Sequence, residues 1–461
     1  MKRFRMPTAY TILFILLVVV AAATWIVPAG EYTRVDGLPV AGSYHAVEQQ
    51  GQGVGRIILA AFEGFFDAVD VAVFILMVGG FLGVVMKTGA IDAGVSAMVE
   101  RLNGKEILLI PVLMIVFSLG GTSFGMWEET MAFFPLLIPV FLAAGYDVLV
   151  GIAVVLLGSG AGVIAGTVNP FATGIASGFA GVSLGDGLAI RLMMLVVCDT
   201  AAIIYVMRYA IKVKQNPQRS LSPDSREKVS IKTTGAPPEL NGKRKTALVL
   251  FAAVFLIMIY AVIPFDEIGL PLPTLGWWFS ELSGLFLVGG VVIGLLYGLG
   301  EERTIEFFVN GAAELLGVAF IIGISRGITV LMDSGKITDT VLHWGEQALE
   351  GTSSLVFILL VYLIYLPLSV LIPSSSGLAT LSVPILAPLG QFAGVSGEMI
   401  VTAFQSASGL VNLITPTAAV MMGALALGYV PYDRWVRFSW KIVAILCAVT
   451  VVFLALGAVM Q

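Results

Sequence analysis

The sequence predicts an all-α, polytopic membrane protein built from two inverted repeats, with two re-entrant helical hairpins and discontinuous transmembrane helices. Three observations carry that expectation. Of 461 residues, 58% are hydrophobic and only 12% charged, and the mean hydropathy of +0.97 lies far outside the range of soluble chains. The second is an internal duplication: Val85-Met86-Lys87-Thr88-Gly89-Ala90-Ile91 lines up with Leu331-Met332-Asp333-Ser334-Gly335-Lys336-Ile337 at a shift of 246 residues, and the same shift pairs Asn169-Pro170 with Thr415-Pro416 and Arg191 with Arg437. The third is a pair of polar interruptions in apolar sequence, Gly121-Thr122-Ser123-Phe124-Gly125-Met126-Trp127-Glu128-Glu129 and Pro373-Ser374-Ser375-Ser376-Gly377-Leu378. Prolines come after both at matching spacing, Pro135 and Pro139 against Pro384 and Pro388. Hydrocarbon leaves no partner for an exposed backbone group, so such breaks survive only where they face a protected cavity. A matched pair of them points to the binding site of a secondary transporter.

The chain begins with Lys2, Arg3 and Arg5 before an apolar run at 8–27, an arrangement shared by a signal peptide and a first membrane helix. Lys243-Arg244-Lys245 before the apolar run 246–263 reproduces it in mid-chain, so the first run reads as a retained helix. Residues 31–67 form a polar connection with a surface helix near 57–66. Further spans are expected at 70–86, 148–180, 187–208, 246–264, 282–300, 313–332, 398–427 and 438–459. The run at 282–300 has no counterpart in the first half, and one extra crossing inverts every later span. The halves are 1–212 and 246–461. Between them, 213–245 is rich in Lys, Arg, Ser, Pro and Gln and reads as a solvated cytoplasmic linker, in which a cysteine at Ser222 is expected to be labelled only from inside. With the N-terminus inside, about twenty of the 25 Lys and Arg fall on the cytoplasmic side. The expected location is a bacterial cytoplasmic (inner) membrane.

Several classes are excluded by what is missing. There is no basic surface for nucleic acid, and a net charge of -5 is small for this length. His45 and His343 are the only histidines and lack ligand-spaced neighbours, so no metal site is expected. Cys198 and Cys447 lie in apolar runs and read as small buried residues. A pump lacks its Walker loop, and an intramembrane enzyme lacks His-Glu-x-x-His or a base for Ser123 or Ser375. A channel fits hairpins entering from both sides poorly. No cofactor is expected.

The segments around the interruptions, 106–119 with 131–143 and 355–371 with 380–393, read as too short to cross comfortably, because crossing takes about 20 residues. They are expected to form hairpins at about 106–143 and 354–393, the first entering from the cytoplasm and the second from outside. Their tips place the hydroxyls of Thr122, Ser123, Ser374, Ser375 and Ser376 beside helix ends, where N–H groups attract anions and carbonyls coordinate cations. The bland alternative is that small residues only let helices pack closely. A second pair of breaks, Thr167-Val168-Asn169-Pro170 with Thr173, and Asn412 with Thr415-Pro416-Thr417, predicts unwound mid-span segments, or simple proline kinks. Glu128 and Glu129 have no acidic counterpart in the second hairpin. They could bind a coupling cation, carry a proton or receive an amino or guanidino group. Arg326 could hold a substrate carboxylate or pair with Glu314 or a hairpin glutamate. Asp199 reads as a packing partner.

A hydroxyl-bearing hairpin tip, a Pro-containing helix and an unwound Asn-Pro or Thr-Pro segment, all duplicated, resemble the ion transporter superfamily that includes the divalent anion:sodium symporters. The chain is most similar to the C4-dicarboxylate anaerobic carrier-like family, especially its YfcC-like branch of basic amino acid antiporters, over nearly its whole length. The resemblance implies a scaffold part and a mobile transport part, elevator movement, and a homodimer in the lipid bilayer. It also implies a coupling ion, sodium near Ser123, Asn169, Ser375 and Thr415, or a proton. Gly121-Thr122-Ser123 and Ser374-Ser375-Ser376 replace the Ser-Asn-Thr tips of the symporters. The function expected is secondary transport of a small carboxylate-bearing metabolite. An amino acid, basic and exchanged by antiport, is placed ahead of a C4-dicarboxylate carried with sodium or protons, because two buried glutamates demand a positive partner.

Overall fold

Without water to bond to, apolar chain must satisfy its own backbone, and it does so here as helices. The structure is a computed structural model describing residues 9–35, 38–91, 93–94, 97, 105–183, 185–230, 239–262, 265, 271–349 and 351–460. Among these, eight helices are long and apolar enough to cross a membrane by length and composition. They include Glu106–Ser123 and Ser354–Leu371, the first arms of the two expected hairpins, each 18 residues long. The first arm is therefore longer than the sequence suggested, because the helical conformation runs on through Gly121-Thr122-Ser123, whereas the second ends at Leu371 as expected.

The helices sort into two packed groups. The first contains α1 (Ala9–Ile26), α2 (Val54–Asp67), α3 (Val69–Lys87), α10 (Gly242–Val262), α11 (Phe279–Tyr297) and α12 (Glu301–Ser334). Its axis is α12, whose 34 residues extend about 51 Å, well past a hydrocarbon core of about 30 Å. The α2–α3 pair lies antiparallel along it at backbone contact: a Cβ on Gly311 would stand 2.3 Å from the Gly79 carbonyl oxygen. The expected surface helix is thus the first half of this pair, laid on α12 through Ala60 and Gly64.

The second group contains α4 (Leu109–Phe124), α5 (Phe134–Ala143), α6 (Val148–Ile164), α7 (Ile175–Ala180), α8 (Leu188–Gln215), α14 (Ser354–Leu371), α15 (Ser375–Phe392), α16 (Gly397–Asn412), α17 (Ala419–Leu427) and α18 (Tyr432–Val459). Contacts fix each direction. Met114 and Ser118 of α4 meet Gly158 and Gly162 of α6, so these run parallel, whereas Ile138 of α5 meets Gly151 and runs back. Both arms of the first hairpin therefore begin and end beside Asp147. Gly397 meets Ala180, and Gly428 meets Val148 and Ile152, so α16–α17 runs opposite to α6–α7. The second arm of the second hairpin leads at the other end of the molecule through residues 393–396 into α16.

Each end is closed by a polar cluster. At one, the connection before α2 forms two short ribbons, β1 (Gly30–Glu31) with β4 (His45–Ala46) and β2 (Arg34–Val35) with β3 (Leu38–Pro39). They clip over α13 (Thr338–Leu349): Arg34 pairs with Asp339 at 2.9 Å and the Tyr32 hydroxyl donates to Glu346 at 2.6 Å. At the other, the start of the linker docks instead of floating. A 3-10 turn at Pro217–Arg219 and α9 (Pro223–Ser230) fold back, with the Ser220 hydroxyl on Asp147 at 2.7 Å and the Ser225 hydroxyl on the Tyr429 carbonyl at 2.8 Å. Few apolar residues are needed for that, only hydrogen bonds. Ser222 is consequently 3% exposed and cannot report accessibility, whereas neighbouring Asp224 is exposed. Residues 231–238 lie outside those described. Both cysteines are free thiols, Cys198 buried and Cys447 partly so.

Candidate functional site

Helix α6 stops at Ile164 because Ala165, Thr167 and Val168 give backbone groups to another partner. The Thr122 carbonyl accepts from the N–H groups of Thr167 and Val168 at 3.0 and 3.3 Å, and the Thr122 hydroxyl donates to the Ala165 carbonyl at 2.8 Å. Chain resumes in a π-turn at Pro170–Gly174, where the Thr173 hydroxyl donates to Gly166 at 3.2 Å and the Asn169 side-chain oxygen accepts from Ala172 at 3.3 Å. From across the group, Gln405 and Ser406 of α16 donate to the exposed carbonyls of Val163 and Ile164 at 2.6 and 2.8 Å. An unwound segment at a proline is thereby supplied with partners from the tip and from α16.

The second break is built alike from different atoms. Ser325 of α12 donates to the Thr417 carbonyl at 2.5 Å, Trp435 to Leu413 at 2.8 Å and Tyr432 to Ile414 at 2.6 Å. The Thr417 hydroxyl donates to Val370, next to the second tip, at 2.8 Å and lies 2.9 Å from the Thr415 hydroxyl. Each tip is thus tied to the break of its own half.

The tips differ in shape. After α4 the chain turns at Gly125, whose φ of +77° favours glycine, and a Cβ there would lie 2.5 Å from the Asn169 amide nitrogen. Ser159 donates to the Met126 carbonyl, and Glu128–Ala132 forms a 3-10 turn. Glu129 accepts from the Trp127 N–H at 3.2 Å. The second tip goes straight into α15, capped by Ser374, whose hydroxyl oxygen accepts from Gly377 at 3.2 Å.

Both tips line one cavity of about 210 Å³ at the boundary between the two groups, smaller than the 300–1,000 Å³ common for drug-sized ligands. The second group contributes Trp127, Glu128, Glu129, Asn169, Gln405, Ser408, Asn412 and Thr417, with Ser374, Ser375 and Ser376 from the second tip. The first group contributes Asp67 and Asp70 where α2 gives way to α3, Trp278 and Phe279 at the start of α11, and Ser325 and Arg326 of α12. Arg326 Nε lies 3.7 Å from Asp67. Pairing of Arg326 with Glu314 is excluded: both sit on α12, and twelve positions put them about 18 Å apart.

Five expected residues stand behind the wall rather than on it. Thr122, Thr167 and Thr173 hold the first break. The Ser123 hydroxyl turns back to Leu119 at 2.5 Å, and Thr415 is 3% exposed against Thr417. Asp199 accepts from Ser118 at 2.8 Å, joining α8 to α4. Asp67, Asp70, Trp278, Gln405 and Ser408 were missed. The signal for the aspartates was present, since both flank the start of an apolar span. The only signal for Gln405 was a lone amide in the apolar run 399–411.

A family model described as C4-dicarboxylate anaerobic carrier matches residues 6–459. The chain belongs to that family. It is 34% identical over 498 residues to a Haemophilus influenzae protein named only "Uncharacterized protein", covering 96% of this chain and 95% of that one. It is 30% identical over 492 residues to the Escherichia coli protein named "Putative basic amino acid antiporter YfcC", again covering 96% and 95%. Among solved structures it is similar to the YdaH transporter of Alcanivorax borkumensis, at TM-score 0.47, 14% identity and 98% of both chains. It is also similar to MtrF of Neisseria gonorrhoeae, from a class of antimetabolite efflux pumps, at TM-score 0.43, 16% identity, and 98% and 95% coverage. Family membership together with the eight apolar helices makes this chain a multi-pass membrane transporter.

Proposed function

We propose that the protein exchanges amino acids, basic ones foremost, across a bacterial inner membrane by alternating access. The second helix group would move as a transport part against the first as a scaffold, with the tips re-entrant at membrane depth. The observation that carries the substrate class is the charge on the cavity wall: among the described residues, Asp67, Asp70, Glu128 and Glu129 face a single arginine, which already lies beside Asp67. A site for a dianion would reverse that balance, because each desolvated carboxylate needs its own cation or donor. A carboxylate does have a place at the second tip. Ser375 and Ser376 open an 18-residue helix, and the first N–H groups of a helix lack intrahelical partners and attract anions. An amino acid would meet both demands, its carboxylate at α15 and its amine toward Glu128. Mobility of the second group is supported by the cavity's position, since it lies at the boundary between the two groups.

A second reading, dicarboxylate carriage, is favoured by Arg326 at the cavity and by the description of the family. The deciding experiment is counterflow in proteoliposomes loaded with lysine, arginine, alanine or succinate, with and without sodium or a proton gradient. Lysine-for-arginine exchange without succinate transport is expected. Succinate transport with no amino acid exchange would overturn the proposal.

A further inference from the structure

Resting on the amino acid reading, we infer that Asp70 is a specificity residue that holds the substrate's side-chain cation on one face of the membrane only. Its position argues for this. Asp70 belongs to the scaffold, at the first turn of α3, yet lines the same cavity as Glu128 of the transport part. Of the scaffold's two cavity acids, Asp67 has Arg326 beside it at 3.7 Å, whereas Asp70, among the described residues, accepts only from its own helix, the Val71 N–H at 2.8 Å. A ligand cation is the partner this carboxylate lacks.

A second, separate observation points to a ligand that donates. Gln405 is 1% exposed and lines the cavity; its amide nitrogen is committed to Val163, and its oxygen has no hydrogen-bond partner among the described residues. A buried acceptor left unpaired keeps its full desolvation cost, and an ammonium in the cavity would satisfy it. Acceptors thus face the cavity from both groups.

The one-sidedness comes from where the wall lies along the scaffold. Asp70 and Trp278 sit at the starts of α3 and α11, each 19 residues long. From the cavity these helices run about 28 Å toward the linker end, where Arg244 and Tyr297 both donate to the Thr88 carbonyl at 3.1 and 2.9 Å. Arg326 stands 25 residues from the start of α12 and eight from its end, so the tips stand nearer the clip end of the scaffold than its linker end. When the transport part carries them toward the linker end, Glu128 and Gln405 travel with the substrate and Asp70 stays behind. The distal cation then loses one counter-charge, which loosens a dibasic substrate on arrival and leaves a neutral one unaffected.

The test measures lysine exchange by the full chain in intact cells and in everted vesicles, with norleucine, which has lysine's carbon chain but no side-chain amine, as competitor. Asp70→Asn should raise the lysine KM about tenfold on the face where a cysteine at the exposed Gln391 is labelled. On the other face the KM should stay within about twofold, and norleucine inhibition should be unchanged on both. Asp70→Glu should restore lysine, and Asp70→Ser serves if the asparagine variant does not fold. Equal changes on both faces, or none on either, with the parent still exchanging lysine, would overturn this inference alone. A parent that exchanges no lysine removes the amino acid reading and this inference with it.

Discussion

The two hairpin tips occupy corresponding places in the two halves, yet they are built to opposite plans. The first turns at a left-handed glycine, passes through a 3-10 turn and puts carboxylates on the cavity wall. The second begins a regular helix at once, with Ser374 as cap, and offers backbone N–H groups and hydroxyls. One tip's contribution is encoded in side chains and the other's in backbone direction. The cavity thereby has one acidic and one donor-rich side. The two tips should therefore respond differently to mutation.

The largest difference expected is in exchange activity. Glu128→Gln should lower lysine kcat/KM about a hundredfold, because losing a charge partner in a desolvated site costs several kcal/mol. Ser375→Ala should cost less than about tenfold, since the N–H groups of α15 remain. Equal losses at the two tips, measured by counterflow with matched protein levels, would erase the distinction.

Next is the turn itself. Gly125→Ala should destabilise the protein, because a non-glycine residue in the left-handed region costs about 1–2 kcal/mol, and its Cβ would lie 2.5 Å from Asn169. Gly377→Ala should be tolerated: its Cβ would stand 3.2 Å from the Ser374 hydroxyl, with no left-handed backbone. Thermal unfolding in detergent compares them, and a lower midpoint for Gly377→Ala than for Gly125→Ala would contradict the assignment of shapes.

A smaller effect separates capping from binding at the second tip. Ser374→Ala removes a cap worth about 1 kcal/mol and should lower the midpoint by a few degrees. Ser374→Asp should restore stability, because aspartate caps equally well, yet weaken substrate, because its charge repels a carboxylate approaching the same N–H groups. Recovery of both properties would place the substrate carboxylate elsewhere.

The smallest perturbation tests the opposite entry of the hairpins. Cysteines replacing the exposed Asp224 and Gln391 should leave exchange unchanged. An impermeant maleimide should label Asp224→Cys only from the cytoplasm and Gln391→Cys only from outside. Labelling of both from one face would break the inverted relation.

The amino acid sequence by itself determined the membrane class, the duplication, both breaks and the two tips, because each rests on a local rule: apolar length, a fixed shift, a proline with small polar neighbours. Nine of the fourteen site residues chosen that way, Glu128, Asn169, Arg326 and Ser375 among them, do line the cavity. Only the tertiary structure decided that Thr122 and Thr167 join tip to break. It also decided that Asp70 and Gln405, in helices far apart in sequence, share one wall with the tips. A pattern along the chain reports which residues are costly to bury, but not which of their atoms another segment will satisfy. That depends on how the two helix groups meet, and no local periodicity encodes it.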